Sequence, residues 1–235
     1  IYLPVEDRDA CLEAVERCRK AGVPAAAALP RICTDNELTR LEETLTALRQ
    51  AGVEQALAGN WGGVRRAFQL GFQVRGDYGL GVYNSQTMKE LKRLGLLSAT
   101  ASFELRLAQL RDLSKTIPTE FIAYGRLPLM ITENCILHNR SGQHTCGEVR
   151  QLTDRRGERF PVVRAWVCRN EILNSKTLFL ADRAADWRRL GLWGARLMFT
   201  TERASECVQV LDRYLEQNRY QPSGYTRGLY YREVE

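Results

Sequence analysis

The chain is poor in the residues and motifs that most often settle a protein's chemistry. It has only two histidines. Neither H-E-x-x-H nor G-x-S-x-G occurs, which removes the metalloprotease helix and the nucleophile elbow. A Ser–His or Cys–His pair would have to use His138 or His144, and Cys135 or Cys146 is the only thiol close in sequence. Such loop neighbours lack the third group that orients a catalytic base. No apolar run reaches the roughly 18 residues that a membrane-spanning helix needs, so no membrane span is expected. No basic segment followed by an apolar one opens the sequence at Ile1. An export signal is therefore not expected, and a cytoplasmic protein is. Without export a disulfide framework is not expected either. Seven cysteines, an odd number, then turn attention to metal or cluster binding.

What is present suits a folded α/β chain. There are 235 residues, 44% hydrophobic and 26% charged, enough to bury a sizeable core. Lys and Arg exceed Asp and Glu by 34 to 28, a net charge of +6. That excess permits RNA or another anionic partner, although most such excess is solvated surface.

A strand-then-helix unit repeats. Strands are expected over residues 1–5, 23–29, 53–59, 72–76 and 96–101, with another from 120. Helices are expected over 9–20, from a cap at Thr34 or Asp35 to Gly52, and over 61–70, 85–94 and 103–115. Leu38, Leu41, Leu45 and Leu48 stand at helical spacing, and Gly22, Gly52, Gly71 and Gly95 close successive helices. This alternation argues for a parallel sheet with right-handed crossovers, and six units in a row favour a closed (β/α) barrel over an open sheet. The rhythm breaks after Cys135. Residues 135–165 read as an inserted Cys/His loop with a hairpin around Arg156-Gly157. The rhythm resumes with strands over 178–181 and 194–199 and helices over 184–190 and 204–217. The expectation is one (β/α) barrel domain over 1–235.

In a barrel, function belongs at the carboxyl ends of the strands. Asn60, Asp77, Asn84, Glu104, Tyr124, Arg126, Glu133, Cys135, Arg169 and Thr200 fall there. The turn from Gly76 to Gly81 contains a G-x-G, a weak phosphate signal that lacks the full dinucleotide pattern.

The stretch 124–146, YGRLPLMITENCILHNRSGQHTC, passes from an apolar strand into a polar loop holding both histidines. Two ligand sets are open. Cys135, Cys146, Cys168 and Cys207, separated by 11, 22 and 39 positions, are four thiolates of the kind that hold an iron–sulfur cluster. Cys207 near a helix start is expected to have a lowered pKa. Alternatively Cys135, His138, His144 and Cys146 make a local tetrahedral zinc set. Cys168 and Cys207 also read simply as small buried residues, as do Cys11 and Cys18, seven apart on one helix face.

At YGRLPLMITENC the chain resembles the collagenase-like peptidases of unassigned catalytic type, peptidase family U32. The similarity extends to Arg31-Ile32 with Thr34-Asp35, Gly76-Asp77-Tyr78-Gly79-Leu80 with Val82 and Asn84-Ser85, and Thr100 to Leu105. It continues through Asp154-Arg155-Arg156-Gly157, Cys168-Arg169-Asn170, Asn174-Ser175-Lys176 and Gly224 to Gly228. The resemblance implies a TIM-type (β/α) barrel with a cysteine-bearing loop. The strand that usually opens such barrels is missing before Ile1, so the chain is expected to belong to a longer protein with further domains.

The family name implies peptidase activity. Other members carry a [4Fe–4S] cluster and take part in hydroxylating RNA bases or the ubiquinone ring. The resemblance implies that Cys135, Cys146, Cys168 and Cys207 ligate that cluster. Asp77, Glu104, Tyr124, Arg126 and Arg169 would line the substrate side, facing RNA or a small aromatic substrate. Three expectations follow: cluster-dependent hydroxylation, a peptidase using a metal-bound water, and a non-enzymatic barrel whose zinc loop presents a basic surface to RNA or a partner.

Overall fold

The computed structural model describes residues 1–136 and 149–232, which fall into two compact units. The first comprises residues 1–102 and 112–120. Its strands are β1 (Tyr2–Pro4), β2 (Ala26–Ala28), β3 (Gln55–Ala58), β4 (Gln73–Gly76), β5 (Ser98–Thr100) and the first residues of β6 (Thr119–Gly125). They pair in parallel in sequence order. Four helices connect the first five strands: α1 (Arg8–Lys20), α2 (Leu38–Gln50), α3 (Trp61–Gln69) and α4 (Ser85–Arg93).

Each helix begins and ends where local chemistry dictates. Asp7, Asn60 and Asn84 accept backbone N–H bonds at the starts of α1, α3 and α4. Glycines in the left-handed region follow the last turns, as at Gly52 and Gly95. Leu41, Leu45 and Leu48 of α2 are almost wholly buried, each contributing roughly 1.5–3 kcal/mol of burial.

Residues paired across parallel strands share a face. One face of this sheet carries small or branched apolar groups: Ala27, Ala56, Ala58, Val74 and Ala99, all buried. The other face mixes polar groups with Ala26, Ala28 and Leu57. Arg75 Nε donates to Gln55 Oε1 at 2.9 Å and its Nη1 to Ser98 Oγ at 2.9 Å. Tyr2 Oη donates to the buried carboxylate of Glu120. β1 is an edge strand among the described residues, paired with β2. The described ladders thus establish a mostly parallel α/β sheet but not a closed barrel.

The second unit comprises residues 103–111 and 121–235. Here β6 (Thr119–Gly125) pairs antiparallel with β11 (Thr177–Phe179), β11 pairs in parallel with β13 (Tyr225–Thr226), and β12 (Gly194–Met198) also pairs with β6. Among the described residues its helices are α5 (Leu107–Asp112), α6 (Ala184–Arg188) and α7 (Ala204–Tyr214). A separate four-stranded sheet has the order β7 (Pro128–Thr132), β10 (Asn170–Leu173), β9 (Arg159–Arg164), β8 (Arg150–Thr153).

The expected hairpin is β8–β9, with Thr153 opposite Arg159. Its extension into a four-stranded sheet by β7 and β10 was not expected. The helix expected over 103–115 shrinks to α5. Arg106 N–H is bound by the Gln109 side chain at 2.9 Å, and Leu107 N–H donates to the Tyr230 carbonyl at 3.0 Å. The helix therefore starts only at Leu107.

Candidate functional site

The most constrained spot in the second unit lies where β7 ends and β10 begins. Asn170 is opposite Thr132 in that antiparallel pair. Chain leaving β7 through residues 133–136 therefore lies beside chain entering β10 through Cys168 and Arg169. Arg169 Nε and Nη2 donate to Glu133 Oε2 and Oε1, both at 2.7 Å. The Arg169 side chain is 4% exposed while that of Glu133 is 69% exposed, so a buried guanidinium is held by a carboxylate at the surface. Arg169 holds the Glu133 carboxyl below its usual range. Asn170, fully buried, accepts from Ile136 N–H at 2.7 Å and donates to the Arg169 carbonyl at 3.3 Å. Buried Cys135 and half-buried Cys168 are thereby brought to the same end of one sheet.

The turn before Cys168 is strained. Val167 has φ of +64°, an outlier for a β-branched residue. Its carbonyl accepts from Arg164 Nε at 3.0 Å, and Ala165 N–H donates to the Arg169 carbonyl at 2.9 Å. Strain of this kind persists only where surrounding contacts over-determine the backbone, and it gathers at functional sites.

A second cluster forms at the carboxyl ends of β6 and β12. Tyr124 Oη donates to Glu202 Oε1 at 3.1 Å. Glu202 Oε2 accepts from Thr200 N–H at 2.8 Å and Thr201 N–H at 3.0 Å. Thr200 Oγ1 is buried with no hydrogen-bond partner among the described residues. Burial, then the Glu202 carboxylate, push the Tyr124 phenol far up, so it stays a donor. The exposed ring of Phe199 lies against Tyr124 at 5.5 Å.

Cys207, in the first turn of α7, departs from the expected lowered thiol. Burial and the Glu202 and Glu206 carboxylates raise its pKa, and its backbone hydrogen bond only partly offsets them. Glu202 was not singled out from the sequence. Its place just past a strand, before a helix start, is the signal that would have found it.

The other expected residues are placed as follows. Asn60 and Asn84 are helix caps. Asp77 follows β4 and accepts from Tyr78 N–H at 2.7 Å. Arg31 lies over the Tyr78 ring at 5.1 Å. Glu104 is exposed. Arg126 Nη1 donates to the Asn174 and Ser175 carbonyls, which ties β6 to the segment before β11. His138, His144 and Cys146 lie outside the described residues, so the local zinc set is represented by Cys135 alone.

Among the described residues no three His, Cys, Asp or Glu side chains are gathered to hold a metal ion. Cys135, Cys168 and Cys207 therefore do not by themselves form such a group, and Cys146 lies outside the described residues. No described helix is long and apolar enough to cross a membrane.

A family model for peptidase family U32 matches residues 7–148, more than half of the chain. The chain belongs to peptidase family U32. Among solved structures, that of the U32 peptidase Mk0906 is similar, with a TM-score of 0.42 and 16% identity over 53% of this chain and 60% of that one. This U32 chain thus spans less than two thirds of that structure's length. No curated protein matches.

Proposed function

We propose that this U32 chain forms part of a TIM-type (β/α) barrel that binds a [4Fe–4S] cluster through Cys135, Cys146, Cys168 and Cys207. The proposed reaction is hydroxylation of an RNA base or a related aromatic ring. The observation that carries the reading is the strained Val167 turn, which commits Cys168 to the sheet end that Arg169 and Asn170 share with Cys135. Strand order supports the barrel. A parallel sheet built in sequence order with same-handed crossovers keeps its helices on one face, and closure is the usual way to cover the other.

In this reading Arg169 and Asn170 hold the 133–136 segment still, and Tyr124 remains a phenol that donates a hydrogen bond. Glu104 and Arg126 of the same unit are assigned with them to the substrate side in this reading. When bound, the cluster supplies one-electron redox chemistry. A cytoplasmic setting belongs to the proposal, because cluster ligands must stay reduced.

Glu202 favours a second reading, the peptide hydrolysis in the family's name. Its carboxylate, which accepts from two backbone N–H groups and from Tyr124, would orient a water or a substrate amide in that reading.

The deciding experiment is iron, zinc and acid-labile sulfide analysis of protein purified without air, with Cys168→Ala alongside. Roughly four iron and four sulfide per chain, lost in the variant, are expected. One zinc retained by Cys168→Ala would sink the cluster reading and favour the zinc loop. Chelator-sensitive peptide cleavage without iron would favour hydrolysis.

A further inference from the structure

The first unit contains a cavity of about 340 Å³, within the roughly 300–1,000 Å³ of small-molecule sites. It opens beyond the carboxyl ends of β2 and β3, between the chain entering α2 and the start of α3. Ligands in parallel α/β sheets gather at those strand ends. Asn60 makes the rim rigid: its side chain accepts from Gly63 N–H at 2.7 Å and donates to the Pro30 and Arg31 carbonyls at 3.1 Å each.

The lining divides by chemistry. Leu29, Pro30, Leu38 and Leu41 give an apolar floor. The rim carries Asp35, Arg65 and Arg66. Arg66 is already neutralised by Glu42 at 2.9 Å. Asp35 and Arg65 make no ion pair among the described residues and stand too far apart to pair with each other. Two opposite charges that do not pair with each other, at the rim of an apolar floor, complement a zwitterion with an apolar tail.

We propose that this cavity binds a free α-amino acid with a branched apolar side chain. Its carboxylate would meet Arg65, its ammonium Asp35, and its side chain the leucine floor. The proposal stands independently of the cluster and hydrolysis readings.

The test follows the amide resonances of Gly62 and Gly63, which line the cavity, by NMR. L-leucine is titrated beside 4-methylpentanoate, which lacks the ammonium, and 3-methylbutylamine, which lacks the carboxylate. Leucine is expected to saturate the shifts, and each analogue to bind at least tenfold more weakly. Arg65→Gln should weaken leucine at least tenfold and leave the amine unaffected. Asp35→Asn should weaken leucine and leave the carboxylate analogue unaffected. Both positions are exposed, and an otherwise unchanged spectrum checks the fold. The proposal is overturned if leucine binds no better than either analogue, if both variants bind leucine like the parent, or if no saturable shift appears up to about 10 mM.

Discussion

The two units stabilise themselves over different ranges of sequence. In the first, every strand pairs with its neighbours in sequence order, and each helix is closed by residues within it or just outside it. In the second, decisive contacts join distant residues. Tyr230 donates to the Ile122 carbonyl at 2.8 Å, Arg227 clamps Asp182, and Tyr214 donates to the Ala123 carbonyl at 2.6 Å. A chain that relies on near neighbours can lose one cap and keep its sheet. A chain strapped by its own tail depends on a few long-range anchors, each closing a long loop at an entropic cost.

The comparison breaks most severely at Gly79 and Tyr230. A Cβ at Gly79 would lie well inside van der Waals contact of the Gly59 carbonyl oxygen. Gly79→Ala is expected to cost roughly 2–4 kcal/mol, because backbone and not a flexible side chain must move. Tyr230 is fully buried and meets Phe121 edge-on at 5.7 Å. Tyr230→Ala should cost about 3–5 kcal/mol, whereas Tyr230→Phe should cost about 1 kcal/mol, the hydrogen bond alone. Urea unfolding gives both values. A Tyr230→Ala loss no larger than that of Tyr230→Phe would mean that the tail is not an anchor.

Legibility follows the same division. The first unit could be read because leucines at 38, 41, 45 and 48 repeat at helical spacing and because glycines and asparagines mark helix ends. Those signals need no knowledge of a distant partner. β10 was missed because Asn170–Leu173 acquires strand character only by pairing with β7 and β9, and its sequence carries no alternation of its own. Glu202 was missed for a related reason, since its partner Tyr124 lies 78 positions away. The helix-start argument for Cys207 fails because it weighs the backbone and leaves out burial first, then Glu202 and Glu206. Arg169 was read as a functional residue, but its burial and its pairing with Glu133 could not be read. The polar groups of the parallel sheet were also invisible, because Arg75 and Ser98 meet only across adjacent strands.

A smaller effect sharpens the reading of the cysteine-bearing turn. Val167→Gly removes the steric cost of a positive φ. If that strain serves no contact, the variant should be more stable by about 1 kcal/mol or somewhat more, after the greater freedom of glycine in the unfolded chain is allowed for. If the strain aims Cys168, the same variant should also lose iron or zinc. Asn170→Ala acts on the neighbouring strand and leaves Ile136 N–H without its acceptor. It should cost about 1–3 kcal/mol and speed alkylation of buried Cys135.

The smallest expected effect concerns pH. Asp182 and Arg227 pair at 2.5 Å through both oxygens, with side chains 30% and 21% exposed. Burial opposes ionisation of Asp182, but the Arg227 hydrogen bonds outweigh it and the folded carboxyl lies below its ordinary value. A depressed folded pKa stabilises above the unfolded value, and that contribution is lost as pH falls through the folded one. The Asp182 pair should therefore account for about 1 kcal/mol of the loss in Arg227→Gln near neutral pH, and that part of the gap should fall away below about pH 4, leaving the pH-independent loss of the Arg227 Nη1 bond to the Phe179 carbonyl at 2.6 Å. The exposed Glu16–Arg19 pair on α1 is the control. Glu16 pairs there with both Arg19 and Lys20 within one helix, and such solvent-screened pairs should leave Tm nearly unchanged when Glu16 becomes Gln. A pH-dependent gap for Arg227→Gln with none for Glu16→Gln would show that ion pairs matter here only where they tie the tail to the sheet. Equal gaps would remove the long-range strap from the account of the second unit.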